Sequence, residues 1–304
     1  MTVAKFRGVI PPMLTIFKED GSFDWEGNKA LIEHLLRGGV HGIFVLGSSG
    51  EFSHLSVDER KEFAEFAVNY IAGRVPVVVG TSSCNTREVV ELTQHAREIG
   101  ADGAVIVTPY YWGLSEENLY LHYATVAETV DIPIILYHFP DNTGQSLSPA
   151  LVARLAKDFS NIVGIKDTVD SIAHIRELIL QVKAVRPEFS ILAGYDDHLL
   201  NTLAMGGDGA IPGTANFAPQ VTVNIYNNFV RGDLQESINW HHQLLKLPRI
   251  YTLDKPAIGV LKEACRLCGV PVGTTVRQPA GRPDETVLTK LKIMLDEAGL
   301  LRTC

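Results

Sequence analysis

The chain has 304 residues, 46% of them apolar, and a formal net charge of −8. That length suits one large α/β barrel or two ordinary domains with a core that needs no staple, and the acidic balance offers no basic surface to nucleic acid or anionic lipid. No run approaches the roughly 18 apolar residues of a membrane span, and Pro11 and Pro12 break the first apolar stretch without a small-residue cleavage site after it, so a soluble, cytoplasmic protein is expected.

Short apolar, β-branched runs recur along the chain with amphipathic helical stretches between them. In order they are "GVIPPMLTIF", "GIFVLG", "VPVVVG", "GAVIVTP", "IPIILY", "IVGIK", "FSILAG" and "GAIPG". Stretches such as "DERKEFAEFAVNYIAG", "REVVELTQHAREIG", "SEENLYLHYATVAETV" and "SIAHIRELILQVKAV" separate them, and the eighth run leads into "PQVTVNIYNNFVRG". Near-continuous apolar strands alternating with helices imply parallel strands covered by helices. Eight such units favour a closed (β/α)8 barrel over an open doubly wound sheet. After residue 225 the strand signals stop, and "LQESINWHHQLLKL" and "ETVLTKLKIMLDEAGLL" predict a helical extension over 226–304 behind a barrel over 1–225. Cys265 and Cys268 form a "CRLC" pair, but no second pair exists and no strand precedes it, so they read as buried helix cysteines; with Cys84 and Cys304 they suggest no disulfide framework.

The barrel places the chemistry at the C-terminal ends of its strands. There stand "GSSGEF" after run two, "TPYYW" after run four and "YHFPDNTG" after run five. "GIKDT", "GYDDH" and "IPGTAN" follow at runs six, seven and eight. Side chains alternate along a strand, so Gly164 and Lys166 share one face and Val163 and Ile165 the other. If the branched face packs on the helices, Lys166 points into the barrel and Gly164 leaves room beneath it. An amine stripped of solvent sheds its proton more readily, and a neutral lysine attacks a ketone to form a Schiff base. The competing reading is a lysine ion-paired with Glu51 or Asp167 at the barrel rim. Tyr137 ends the neighbouring run in phase with Ile135, and a phenol beside the amine could carry protons as a general acid and base. "GSSGEF" offers bent backbone, free N–H groups and two hydroxyls suited to a small carboxylate, but no phosphate-loop lysine follows it.

Taken together, "GSSGE", "VTPYYW", "LYHFP", "GIKDT" and "GGDGAI" resemble, in order and spacing, the class I pyruvate-dependent aldolases. That family includes dihydrodipicolinate synthase, N-acetylneuraminate lyase and the 2-keto-3-deoxy-sugar-acid aldolases. The resemblance implies that Lys166 forms the Schiff base, that Tyr137 shuttles protons aided by Ser48, and that Tyr111 completes the relay from a neighbouring subunit. It also implies that Ser48 and Ser49 hold the pyruvate carboxylate, that Thr168 stands near the substrate's C4 hydroxyl, and that members are typically tetramers built from dimers. Gly194, Asp196 and Asn142 are expected to border the substrate. Asn142 replaces the arginine typical of the synthases, and an amide cannot supply a bidentate, charge-assisted grip on a second carboxylate. "GYDD" resembles the sialic-acid lyase pattern, with Asp196 as the sugar contact and Asp197 as a helix cap; Gly213 stands where the lyase has a serine. The likeness is greatest to bacterial 2-keto-3-deoxygluconate-type aldolases, with His138 read as structural. No cofactor and no metal are implied, because the iminium itself is the electron sink. The alternatives on the same scaffold are a 2-keto-3-deoxy-acid dehydratase or a dihydrodipicolinate synthase-like enzyme, and, in a different class, a non-catalytic sugar-acid-binding protein.

Overall fold

The computed structural model describes residues 4–302; Cys304 lies outside them. β1 (Gly8–Val9) opens the sheet and α1 (Trp25–Arg37) follows it. The unit then repeats as β2 (Ile43–Val45) and α2 (Val57–Ile71), β3 (Val77–Gly80) and α3 (Thr86–Glu98), and β4 (Gly103–Val107) and α4 (Glu116–Thr129). After β5 (Ile134–His138) come a single turn, α5 (Pro140–Thr143), and α6 (Pro149–Asp158). β6 (Ile162–Asp167) precedes α7 (Ile172–Val185), β7 (Ser190–Ala193) precedes α8 (Leu199–Ala204), and β8 (Gly209–Ala210) precedes α9 (Pro219–Arg231). The chain ends in α10 (Leu234–Leu244), α11 (Ile258–Leu267) and α12 (Glu285–Glu297).

Side-chain caps set where several of these helices begin. The Ser56 hydroxyl accepts from the Glu59 N–H while Glu59 returns a bond to the Ser56 N–H, and Ser115 and Ser148 cap α4 and α6. Every strand pairing is parallel, in the order β1-β8-β7-β6-β5-β4-β3-β2. The remaining seam, β1 to β2, closes where Phe44 N–H donates to the Pro11 carbonyl and Met13 N–H donates to the Phe44 carbonyl. Pro11 and Pro12 carry no N–H, which is why the long first apolar run yields a two-residue strand and isolated bridges rather than a ladder. The architecture is the expected (β/α)8 barrel with C-terminal helices.

Two expectations need correction. A domain boundary at 225 would cut through α9, which runs on to Arg231 and stops at Gly232 in the left-handed conformation, φ +85°. Gly164 does not make room for Lys166: it pairs with Ser190 on β7, and a methyl group there would meet the Ser190 side chain and carbonyl at 2.9 Å. Cys265 and Cys268 are free thiols, as the helix reading implied, and burial pushes Cys268 up to about 12 and Cys265 well above its usual range. Among the described residues no helix is long and apolar enough to cross a membrane.

The β8–β1 seam is tight. At Gly209, φ +153°, an added methyl group would lie 2.0 Å from the Gly8 carbonyl oxygen. Gly209→Ala is expected to cost about 3 kcal/mol or more, as overpacking and backbone strain combine. A lowered urea midpoint would report it, and an unchanged midpoint would contradict the observed seam.

Candidate active site

β5 lies beside β6 with Tyr137 opposite Lys166 and His138 opposite Asp167. Alternation then sends the first pair to one face of the sheet and the second pair to the other. Lys166 is 4% exposed and Tyr137 3%. The Lys166 Nζ stands 4.2 Å from the centre of the Tyr137 ring and 5.4 Å from that of Phe44. The Tyr137 hydroxyl meets the Ser48 Oγ at 3.3 Å, so the amine stands against the phenol ring and the phenol reaches the alcohol. Ser48 sits in the turn after β2, where Gly50 N–H donates to the Gly47 carbonyl and Glu51 N–H to the Ser48 carbonyl. Neither the Ser48 nor the Ser49 N–H has a partner among the described residues.

Both acids that could have neutralised Lys166 at the rim are engaged elsewhere. Asp167 accepts from His138 Nδ1 at 2.7 Å and from His174 Nδ1 at 3.0 Å, and His174 Nε2 donates to the Leu147 carbonyl at 3.2 Å. Burial alone would raise the Asp167 carboxyl, but the two histidine bonds prevail and hold it below its usual range. Burial likewise opposes a charge on His174, yet the bond to Asp167 and the charge of that carboxylate raise it. Glu51, wholly buried, pairs at 2.5 Å with Lys262, whose ammonium also donates to the Thr275 carbonyl. Burial lowers the Lys262 amine while Glu51 opposes the shift. Among the described residues no carboxylate pairs with Lys166, which removes the rim ion-pair reading. His138, Asp167 and His174 are also the one group of described residues close enough to ligate a metal. His138 Nδ1 and both ring nitrogens of His174 already donate to a carboxylate or a carbonyl, and His138 Nε2 is buried without a partner, so three of the four nitrogens belong to a hydrogen-bonded network.

Above this floor opens a cavity of about 1020 Å³, bordered by Ser48, Ser49, Phe139, Asn142, Tyr251 and Lys255 among others. Asn142 sits exposed on α5 at its rim. Thr168 is buried with its hydroxyl unpartnered. Gly194 serves that hydroxyl, because a methyl group on it would come within 1.9 Å of Thr168 Oγ1. Asp196 holds backbone, and the cap expected of Asp197 is absent. Both Asp196 oxygens are occupied, accepting from the Gly213 and Thr214 N–H groups at 2.9 and 3.0 Å and from the Tyr251 hydroxyl at 3.1 Å. Asp196 is 2% exposed, and burial raises its carboxyl despite these donors, so it shapes the loop after β8. Asp197 makes no capping bond; the turn it lies in and α8 both begin without a side-chain cap. At Gly213 the place of a side chain is taken by Tyr251, whose hydroxyl would lie 2.3 Å from an added methyl group. Tyr111 is 78% exposed beside Trp112 at 73%, outside the cluster formed by its own chain.

The chain matches the dihydrodipicolinate synthetase family over residues 5–298. It is a member of that family. It is 51% identical to YagE of Escherichia coli K12, provisionally named a 2-dehydro-3-deoxy-D-gluconate aldolase, over 98% of each chain. It is 46% identical to YjhH of the same organism, provisionally named a 2-dehydro-3-deoxy-D-pentonate aldolase, over 98% of this chain and 99% of the relative. A crystal structure of YagE in complex with pyruvate superposes with a TM-score of 0.96, covering 98% of this chain and all of that one. Dihydrodipicolinate synthase from Thermotoga maritima, at 33% identity, gives 0.93 over 97% and 99% of the two chains.

Within this dihydrodipicolinate synthetase family chain, sequence reasoning missed Tyr251, Lys255 and Lys262. All three lie in the C-terminal extension, and only the fold brings them to the barrel mouth. The signal present was Lys262 itself, a lysine in the apolar stretch "AIGVLKEAC". The His174–Asp167 pair predicts a pH dependence of definite sign. The raised His174 contributes stability below its unfolded value near ~6.5, and that contribution fades as pH climbs through the folded value. The depressed Asp167 contributes above ~3.9 and its contribution is lost as pH falls through its folded value. The stability advantage of the parent over His174→Gln, measured by urea unfolding, should therefore shrink as pH rises from near ~6.5 through the raised folded value of His174. A constant advantage would show that the pair is not charged.

Proposed function

We propose that the protein is a class I aldolase that reversibly cleaves a 2-keto-3-deoxy sugar acid, such as the gluconate or a pentonate analogue, to pyruvate and a hydroxyaldehyde. The observation that carries this reading is a buried lysine with no acid partner, set in register beside a tyrosine that is itself hydrogen-bonded to a serine. The names of both Escherichia coli relatives and the pyruvate in the YagE crystal point to the same substrate class.

In this reading Lys166 Nζ adds to the C2 ketone, and Tyr137 gives its proton to the departing hydroxyl, which leaves as water, so that a protonated imine and a phenolate remain. The Tyr137 phenolate takes the proton of the C4 hydroxyl as the C3–C4 bond breaks, and the bonding pair flows into the iminium to form an enamine. The aldehyde departs, C3 is protonated, and water releases pyruvate and the free amine. The charge sits on the iminium, so the scheme calls on no metal or cofactor. The unpaired Ser48 and Ser49 N–H groups take the carboxylate, and the unpartnered Thr168 hydroxyl faces the substrate's C4 end. The exposed Tyr111–Trp112 loop supports a tetramer in which Tyr111 serves a neighbouring subunit's site, in a cytoplasmic enzyme of sugar-acid metabolism. Neutral Asn142 at the rim favours hydroxylated tails over a second carboxylate.

Incubation with 2-keto-3-deoxygluconate should give pyruvate and glyceraldehyde in equal amounts by NMR, and the pentonate should give pyruvate and glycolaldehyde. Tyr137→Phe should lower kcat by about 100-fold or more, the usual reach of a general acid–base. A product one water lighter with its carbon chain intact would contradict cleavage and identify a dehydratase.

A further inference from the structure

The turn that carries Ser48 and Ser49 is bracketed by two non-glycine residues in the left-handed region, Leu46 at φ +60° and Glu51 at φ +58°. Such a conformation costs free energy in a side chain of either kind, and it persists only where the surroundings impose it. Residue 51 bears directly on the turn, because its N–H closes onto the Ser48 carbonyl at 3.1 Å. The Thr15 hydroxyl holds the same turn from the β1 side, donating to the Gly50 carbonyl at 2.7 Å.

What imposes the conformation at residue 51 comes from the far end of the chain. One Glu51 carboxylate oxygen meets the Lys262 ammonium of α11, and the other accepts from the Arg277 N–H at 2.9 Å. Lys262 also donates to the Thr275 carbonyl at 2.6 Å and faces the Phe17 ring at 4.6 Å. Arg277 is anchored in turn, donating to the Gly21 carbonyl at 2.7 Å and pairing with Glu59 at the same distance. Both charged side chains of the central pair have no solvent exposure. A pair so desolvated seldom stabilises a fold more than apolar side chains of the same shape would, so added stability alone is a poor account of it.

We propose that Glu51 and Lys262 are positioning residues for the carboxylate cradle: the C-terminal extension grips the Glu51 carboxylate, fixes the left-handed turn, and so presents the free Ser48 and Ser49 N–H groups to the substrate. The proposal rests on the Schiff-base reading of Lys166 and adds to it a pair that touches no substrate. It separates two properties that a general loss of structure would damage together. Capture of a keto acid depends on the cradle, whereas capture of a ketone without a carboxylate depends on Lys166 alone.

The test compares the parent with Lys262→Met and with Glu51→Gln/Lys262→Met, the double variant leaving no unpaired buried charge if the single one unfolds. Each is trapped with borohydride at subsaturating pyruvate and, separately, with hydroxyacetone. The double variant should keep a parent-like unfolding midpoint and trap hydroxyacetone at the parent rate. Its trapping of pyruvate should fall by about 10- to 100-fold, the scale of a charge-assisted hydrogen bond or two. Pyruvate trapping equal to the parent's, or an equal fall for both ketones in a folded variant, overturns the proposal. A parent that traps neither ketone overturns the Schiff-base reading beneath it.

Discussion

The pairing of β5 with β6 is the constraint on which the site depends. The register that follows the shift between Ile134 and Ile135 sets Tyr137 against Lys166 on one face and His138 against Asp167 on the other. A one-residue slip of either strand would exchange the faces, sending the lysine toward the helices and the aspartate into the barrel. The outer pair guards the inner one. Asp167 follows Lys166 directly and would be its natural counter-ion, but His138 and His174 occupy both of its oxygens. The amine is left buried beside a phenol with no carboxylate to neutralise it, which is the condition a Schiff-base lysine requires.

The C-terminal extension completes what the barrel begins. Lys262 reaches the turn after β2, and Tyr251 reaches the loop after β8 through Asp196. Residues of the same segment border the cavity. The barrel strands supply the reacting groups, and the added helices fix the loops that surround them. This division explains why Asp196, expected to border the substrate, holds backbone N–H groups of the loop after β8.

Much of this was legible from short-range pattern. Alternation within "IVGIK" and the phase of "IPIILY" is a two-residue signal, and it oriented Lys166 and Tyr137 correctly because both strands are apolar on the helix side. The spacing of eight apolar runs likewise indicated the closed barrel, since each run and its helix is a local unit. Contacts that join distant segments left no such trace. Glu51 and Lys262 are 211 residues apart, and Asp196 and Tyr251 are 55 apart, so neither partner could be assigned from spacing. Gly164 and Gly194 were legible as small residues, but the groups they admit, Ser190 and Thr168, belong to adjacent strands and loops. The boundary at 225 failed for a related reason: strand signals end there, whereas α9 does not.

Among the described residues two lysines are buried, Lys166 and Lys262, and they take opposite roles: one free to react, the other held by Glu51 and the Thr275 carbonyl. The most direct test is borohydride reduction of the native protein in pyruvate, followed by peptide mapping of the modified lysine. A pyruvyl adduct on the peptide containing Lys166, absent from Lys166→Ala, is the predicted result. An adduct on Lys262, or none on the native chain, would contradict the account at its centre.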